Sequence, residues 1–255
     1  MLLLFSSCKT LTRKTGSENQ IIQQTENGWP DCINCPVTND SITFRFDTIT
    51  QAEFEKYKRN YQWNITTAEN GIIHTDTSFS IHTSDSTFSF PSDTNNYSQF
   101  AYYNGFITPL RLHVVTYIDG HNGVGNLFLV DEKENKVYAV ESEFDDPCES
   151  PLISPKRNYM VSISNNTFDD NNSFISIIKI NKHRKTYTYE GLGNISSLAW
   201  KIKELAWMDE RSFALRVVTL TRNEATGDAA ETEIYLKVSF YKKISGINSA
   251  PGTNE

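Results

Sequence analysis

The run Leu110-Arg111-Leu112-His113-Val114-Val115-Thr116-Tyr117-Ile118-Asp119-Gly120-His121-Asn122-Gly123, with the apolar stretches Leu127 to Val130 and Val137 to Val140 beyond it, sets the architecture of this chain. Leu110, Leu112 and Val114 recur at every second position toward Ile118, the period that places alternate side chains on one face of a strand. Asp119-Gly120-His121-Asn122-Gly123 reads as a turn, and Asp131-Glu132-Lys133-Glu134-Asn135 separates the next two apolar stretches, so three strands form a meander. The pattern continues. Leu152 to Ile163 holds a Ser154-Pro155-Lys156-Arg157-Asn158 turn before Tyr159, and Phe174 to Ile180 pairs with Thr186 to Tyr189 across Asn181-Lys182-His183-Arg184-Lys185. A third unit runs from Leu205-Ala206-Trp207-Met208-Asp209-Glu210 through Phe213 to Leu220 and closes with Ile234 to Phe240. The charged hairpin turns recur at about 50 residues, within the range of repeat architectures.

Toward the N-terminus, Ile42, Phe44 and Phe46 alternate with Thr43 and Arg45, which makes one face of that strand core. Thr50 with Glu53 three residues on is a capping-box pattern, and Ala52, Phe54 and Tyr57 follow among charged residues, so residues 51–59 are expected as one short amphipathic helix. Phe79 and Ile81, then Phe88 and Phe90, flank Thr83-Ser84-Asp85-Ser86 as a hairpin with Ser and Thr outward. The expected class is all-β: antiparallel meander sheets, arranged as propeller-like blades, an open stack or a two-sheet sandwich, in a single domain over 41–245 with a disordered tail at 246–255.

The composition agrees. Phe 15, Tyr 12 and Trp 4 against Met 3 suit pleated sheet better than helix packing in a chain of 255 residues. With 24 basic and 31 acidic side chains the net charge is -7. Basic residues read as scattered singly, so neither nucleic acid nor anionic headgroups are expected partners. After the first five residues no stretch approaches the roughly 20 apolar residues of a membrane-spanning helix.

Ser154-Pro155-Lys156-Arg157-Asn158-Tyr159 and the Trp207-Met208-Asp209-Glu210 turn before Phe213 resemble blades of the TolB and WD40 kinds of β-propeller over roughly residues 105–241. No blade carries the Trp-Asp or Gly-His signature, and closure of a propeller needs four or more blades. At the other end, Met1-Leu2-Leu3-Leu4-Phe5-Ser6-Ser7-Cys8 resembles the end of a bacterial lipoprotein signal peptide. That resemblance implies removal of residues 1–7, lipidation at Cys8 and a membrane partner reached by the lipid anchor alone. It departs from the family in having no Lys or Arg ahead of a short apolar run. Residues 8–40 are polar and read as a tether. Surface-exported lipoproteins of Bacteroidetes carry an acidic cluster after the cysteine, whereas Lys9, Arg13 and Lys14 are basic here, so the periplasmic face of the cell envelope is the expected location.

Candidate chemistry is sparse. Cys32-Ile33-Asn34-Cys35 offers two thiols three apart, for a redox pair, half a zinc site, or a small disulfide that staples the tether to the domain edge. Cys148 either joins one of them or stays buried and free. The five histidines have no HxH or HExxH spacing, so no metal or other cofactor is expected. His113, between Leu112 and Val114, is expected at the surface or in a cross-strand contact. Glu141, Glu143, Asp145, Asp146 and Glu149 cluster after the Val140 strand, where a hydrolase could place an acid and a nucleophile, although so dense a run is usually a solvated loop. The Asn165–Asn172 stretch, with Asp169 and Asp170, is rich in oxygen ligands but lacks the distal Glu of a calcium loop. Gly120, Gly123 and Gly125 read as turn glycines. Tyr102-Tyr103-Asn104-Gly105-Phe106 is expected as aromatics around an exposed turn. The functional expectation is a non-catalytic envelope lipoprotein that binds a protein or glycan through Tyr102, Tyr103, Phe106, Glu143, Asp145 and Asp146. A carbohydrate-active or other hydrolase using the 141–149 carboxylates, and a structural envelope component, are the alternatives.

Overall fold

The computed structural model describes residues 20–21, 31–33, 42–60, 65–66, 71–92, 99–121, 123–169, 171–222 and 229–242. Cys8, Cys35, the leader and the 246–255 tail lie outside the described residues. In chain order the elements are β1 (Gln20–Ile21), β2 (Asp31–Cys32), β3 (Ile42–Thr48), helix α1 (Gln51–Asn60), β4 (Ile65–Thr66), β5 (Ile72–His74), β6 (Ser78–His82) and β7 (Thr87–Pro91). There follow β8 (Gln99–Ile107), β9 (Leu112–Asp119), β10 (Val124–Asp131), β11 (Lys136–Val140), β12 (Leu152–Ile153), β13 (Tyr159–Asn165), β14 (Ser173–His183), β15 (Thr186–Ser197), β16 (Lys201–Asp209), β17 (Ser212–Arg222) and β18 (Ala229–Lys242).

These strands form four sheets of order β1-β7-β6-β5, β2-β11-β10-β9-β8-β4, β12-β13-β14-β15 and β16-β17-β18-β3. The chain is all-β with antiparallel meanders, and the sheets stack face to face. Phe79, Ile81, Phe88 and Phe90 of the first sheet meet Val115, Tyr117, Phe128 and Val130 of the second. The opposite face of the second sheet, with Leu112, Val114, Leu127 and Leu129, packs on Met160, Phe174, Ile178 and Ile180 of the third. Val161, Ile163, Ile175 and Ile177 then meet Leu205, Trp207, Phe213 and Leu215 of the fourth. The two inner sheets are therefore apolar on both faces. That is why Leu127-Phe128-Leu129-Val130 runs unbroken instead of alternating: each neighbour serves a different layer. Burying each such side chain contributes about 1.5–3 kcal/mol.

The fourth sheet is completed by the earliest long strand, β3, which pairs antiparallel with β18 in the register Phe46↔Val238 and Phe44↔Phe240. Helix α1 covers its outer face. The capping box forms in both directions: Thr50 N donates to Glu53 Oε2 at 2.8 Å, and Glu53 N donates to Thr50 Oγ1 at 3.2 Å. Phe54 is wholly buried, with its ring 5.5 Å from that of Tyr235. No helix among the described residues is long and apolar enough to cross a membrane.

Within the stretch read as a tether, β1 and β2 lie parallel to β7 and β11. Cys32 is disulfide-bonded, and it pairs with Ala139 at the edge of the second sheet. Beyond it, Ile33 is buried and its carbonyl accepts from Gly191 N at 2.8 Å on the third sheet. Residues 20–21 and 31–33 are thus fastened to the domain.

Candidate functional site

Antiparallel pairing sends alternate turns to opposite ends of the stack, and side-chain bonds between turns of neighbouring sheets show which turns share an end. At one end Asn135 Oδ1 accepts from Asp85 N at 3.0 Å, Lys133 Nζ reaches Lys185 O at 3.2 Å, and Ser154 Oγ donates to Glu210 at 2.7 Å. At the other end Asp146 accepts from Thr167 N at 2.7 Å, Glu143 accepts from Ser196 Oγ, and Asn171 exchanges two bonds with the backbone of Leu220 at 2.8 and 3.1 Å.

This sorts the charge. The described residues of the connections 119–123, 141–150, 166–172 and 198–200 include seven Asp or Glu and no Lys or Arg, and all lie at the second end. From the same acidic end rise two large apolar side chains that nothing covers: Phe168, 88% exposed, and Leu198, 80% exposed. Their loops are held. Asn166 Oδ1 accepts from Phe168 N at 2.9 Å, Asp169 Oδ1 accepts from Asn171 N at 3.0 Å, and Asn165 bonds both the N–H and the carbonyl of Ile202. The Asn166 and Asp169 oxygens thus serve the loop's own turn, whereas those of Asn165 and Asn171 reach the backbone of Ile202 and Leu220. Phe168 and Leu198 are the residues that sequence reading misses, because Phe168 is a lone apolar residue in a polar loop and Leu198 opens the short Leu198-Ala199-Trp200 connection, and neither carries a periodic signal.

The acidic loop does not converge on one point. Glu143 and Asp146 are engaged in the loop-to-loop bonds just given, and Asp145 contributes its carbonyl to Gly125 N at 2.5 Å. A cavity of about 170 Å³ opens at the edge of β16 between the third and fourth sheets, and Glu149 and Glu204 line it with Lys58, Lys203 and aliphatic walls such as Leu152 and Val161. Glu204 is ion-paired, 2.8 Å from Lys58 and 3.2 Å from Arg216. Part of Glu149 reaches solvent, yet the protein packed around its carboxyl raises its pKa, as it does for Glu141. Glu143, Asp145 and Asp146 do not line this cavity, so the carboxylates that sequence reading grouped are divided between structural caps and a separate cleft.

The aromatic cluster is also relocated. Residues 102–106 lie inside β8 and not around a turn, because β8 pairs with β9 along its length, with a bulge between Tyr103 and Gly105. The bulge changes the facing of the strand: Tyr103 and Phe106, three apart, both turn to the same side and close on His113. Tyr103 Oη is 3.1 Å from His113 Nδ1 and the Phe106 ring is 4.7 Å from the imidazole. Tyr102 remains outside, 48% exposed. His113 is accordingly buried, with 3% of its surface exposed, where a surface position was an expected alternative; burial depresses its pKa to about 4 and keeps it neutral. Gly125 is likewise in a strand, with Pro147 against it, whereas Gly123 is a true turn glycine at φ +68°.

Cys148 is a free, buried thiol whose pKa burial pushes up to about 12, and its Sγ lies 3.6 Å from the Glu141 carbonyl. Among the described residues no group of three His, Cys, Asp or Glu is placed to hold a metal ion. No protein-family model, no curated protein and no solved structure matches the chain.

Proposed function

We propose that this protein is a lipid-anchored lipoprotein of the bacterial envelope, acylated at Cys8, whose β-domain is a non-catalytic module that binds a basic partner protein through its acidic end. The observation that carries the reading is Phe168, 88% exposed on a loop fastened by side-chain bonds, with Leu198 at 80% and carboxylates around both. An aromatic carried on a held loop spares the cost of ordering backbone on binding and buries a large area, and surrounding charge of one sign steers an oppositely charged surface to it. Glu143, Asp145 and Asp146 then act as the acidic rim, and Phe168 takes the anchoring role that the sequence suggested for Tyr102, Tyr103 and Phe106.

Two measurements test this. Palmitate labelling of the full-length product in its native host should give a lipidated mature protein, and Cys8→Ser should abolish the label. A photo-crosslinking phenylalanine at position 168 or 198 should give one discrete adduct in intact cells, absent when the same group replaces Thr188. Equal adducts at all three positions, or none at 168 and 198, would refute the binding site.

A further inference from the structure

The end opposite the acidic loops has the reverse charge. The turns 83–86, 108–111, 131–136, 154–158, 182–185 and 209–211 hold nine Lys or Arg against six Asp or Glu. The acidic members are largely engaged with the protein itself. Asp131 is buried and caps Lys133 N and Glu134 N at 2.8 and 2.9 Å. Glu132 pairs with Arg111 at 2.5 Å. Glu210 accepts from Ser154 Oγ, Lys156 N and Asn158 N, while Asp209 accepts from Arg211 N and from Ser212 Oγ. The basic members point out: Lys156, Arg157, Lys182, Arg184 and Lys185 are all exposed, on two adjacent turns of the third sheet tied by Ile180 N donating to Asn158 O at 2.8 Å.

A second, independent observation falls on two of the same residues, Arg157 and Arg184. Arg111, Arg157 and Arg184 adopt φ of 55°, 61° and 45°, the left-handed region that Gly and Asn enter at less cost than Arg. Asn135 occupies this conformation at φ 51° in another turn of the same end. Three of these four left-handed positions therefore hold the more strained residue, an arginine each time; Arg111 is paired with Glu132, whereas Arg157 and Arg184 are exposed and present the guanidinium that grips phosphate in a bidentate fork. Strain kept at a surface position points to a use for the side chain.

We propose that this row of turn tips, centred on Lys156, Arg157, Lys182, Arg184 and Lys185, is a docking surface for a membrane rich in anionic phospholipid, so that the domain lies with its basic end on the headgroups and its acidic end turned away. The turns of successive sheets are bonded side by side, which gives a row of tips suited to a plane of phosphates. The acidic end is repelled by the same plane, so orientation follows from the charge separation along the strands. Acylation at Cys8 is not required for this contact.

The test uses the full chain carrying Cys8→Ser, so that failure of the anchor and failure of this surface are read separately. It is sedimented with vesicles of one part phosphatidylglycerol to two parts phosphatidylcholine. Partition is expected at low salt and should vanish near about 0.5 M salt, where exposed charges are screened. Arg157→Gly with Arg184→Gly removes two charges at positions whose backbone favours Gly. The fold should keep or raise its thermal midpoint while partition weakens at least about tenfold. Lys156→Gln with Lys185→Gln gives a second pair with no backbone effect and should weaken binding in the same direction. Equal binding to phosphatidylcholine alone, unchanged partition in both pairs, or tighter binding to a short DNA duplex than to the vesicles would each overturn the proposal.

Discussion

The Glu210 carboxylate, on the turn between β16 and β17, receives the Ser154 hydroxyl at 2.7 Å from the neighbouring sheet, and the same hydroxyl accepts from Tyr159 N at 3.0 Å. Glu210 also accepts from Lys156 N at 2.7 Å and from Asn158 N at 3.0 Å, so one side chain closes a turn of the third sheet from the fourth. Ser154 is almost fully buried, which makes the loss of its partner costly. Glu210→Ala should destabilise the domain by about 2–3 kcal/mol and Glu210→Gln by about 1 kcal/mol, read from urea midpoints at constant slope. Equal stability of Glu210→Ala and the parent would show that the latch between these sheets carries no energy.

Acid sensitivity should trace to His113. Its native pKa lies near 4, below the usual 6.5, because burial beside Tyr103 and Phe106 disfavours the imidazolium; Glu132 opposes this and Arg111 adds to it. The unfolded chain therefore binds the extra proton, so the contribution of His113 is complete above about pH 6.5 and is lost as pH falls toward 4. Asp131, Glu141 and Glu149 have raised pKa values and act in the opposite sense, losing native stability as pH rises through their titration. Comparison with His113→Gln isolates the imidazole: the drop in stability between pH 7 and 5 should be about 1–2 kcal/mol smaller in the variant. A parallel pair of pH profiles would exclude the assignment.

Gly125 is required by Pro147. A methyl group at position 125 would lie 2.8 Å from Pro147 N, closer than real Cβ contacts, and the Gly125 N–H already donates to Asp145 O. Gly125→Ala should lower stability by about 2–4 kcal/mol. Pro147→Gly should return part of that loss when combined with it, a non-additivity that a double-mutant cycle measures. Additive effects would mean that the two residues do not meet.

The Cys148 thiol, held protonated by burial, should resist alkylation in the native protein. Iodoacetamide followed by peptide mapping should find the Cys148 peptide unmodified in buffer and modified in denaturant. Rapid native labelling at this residue would show that the segment joining the second and third sheets opens readily.

Much of this architecture is legible along the chain. Leu112 and Val114, Phe79 and Ile81, and Thr50 with Glu53 signal strands, a hairpin and a helix start through neighbours two to four residues apart, and local geometry alone suffices for that. Leu127 to Val130 reads as one strand of a meander, and only the stacked sheets show that it is covered on both faces. The candidate site is a different matter. Whether Phe106 faces solvent or His113 depends on the bulge at Asn104-Gly105, where a Cβ on Gly105 would meet Thr66 O at 2.7 Å across the pairing with β4.

Sequence by itself determined the all-β class, the helix and the hairpin turns at 83–86, 119–123, 131–135, 154–158 and 181–185, though not the turn expected at 102–106, because these are set by periodicity and by residues that favour turns. Tertiary structure alone decided which turns meet. Lys156-Arg157 and Lys182-His183-Arg184-Lys185 are two short basic runs apart in the sequence of a chain of net charge -7, and folding sets them on adjacent turns at one end, while Glu143, Asp146 and Phe168 gather at the other. The reason is that antiparallel strands send successive turns to alternate ends, and the stacking of four sheets brings turns tens of residues apart side by side. No local pattern of residues encodes that sum.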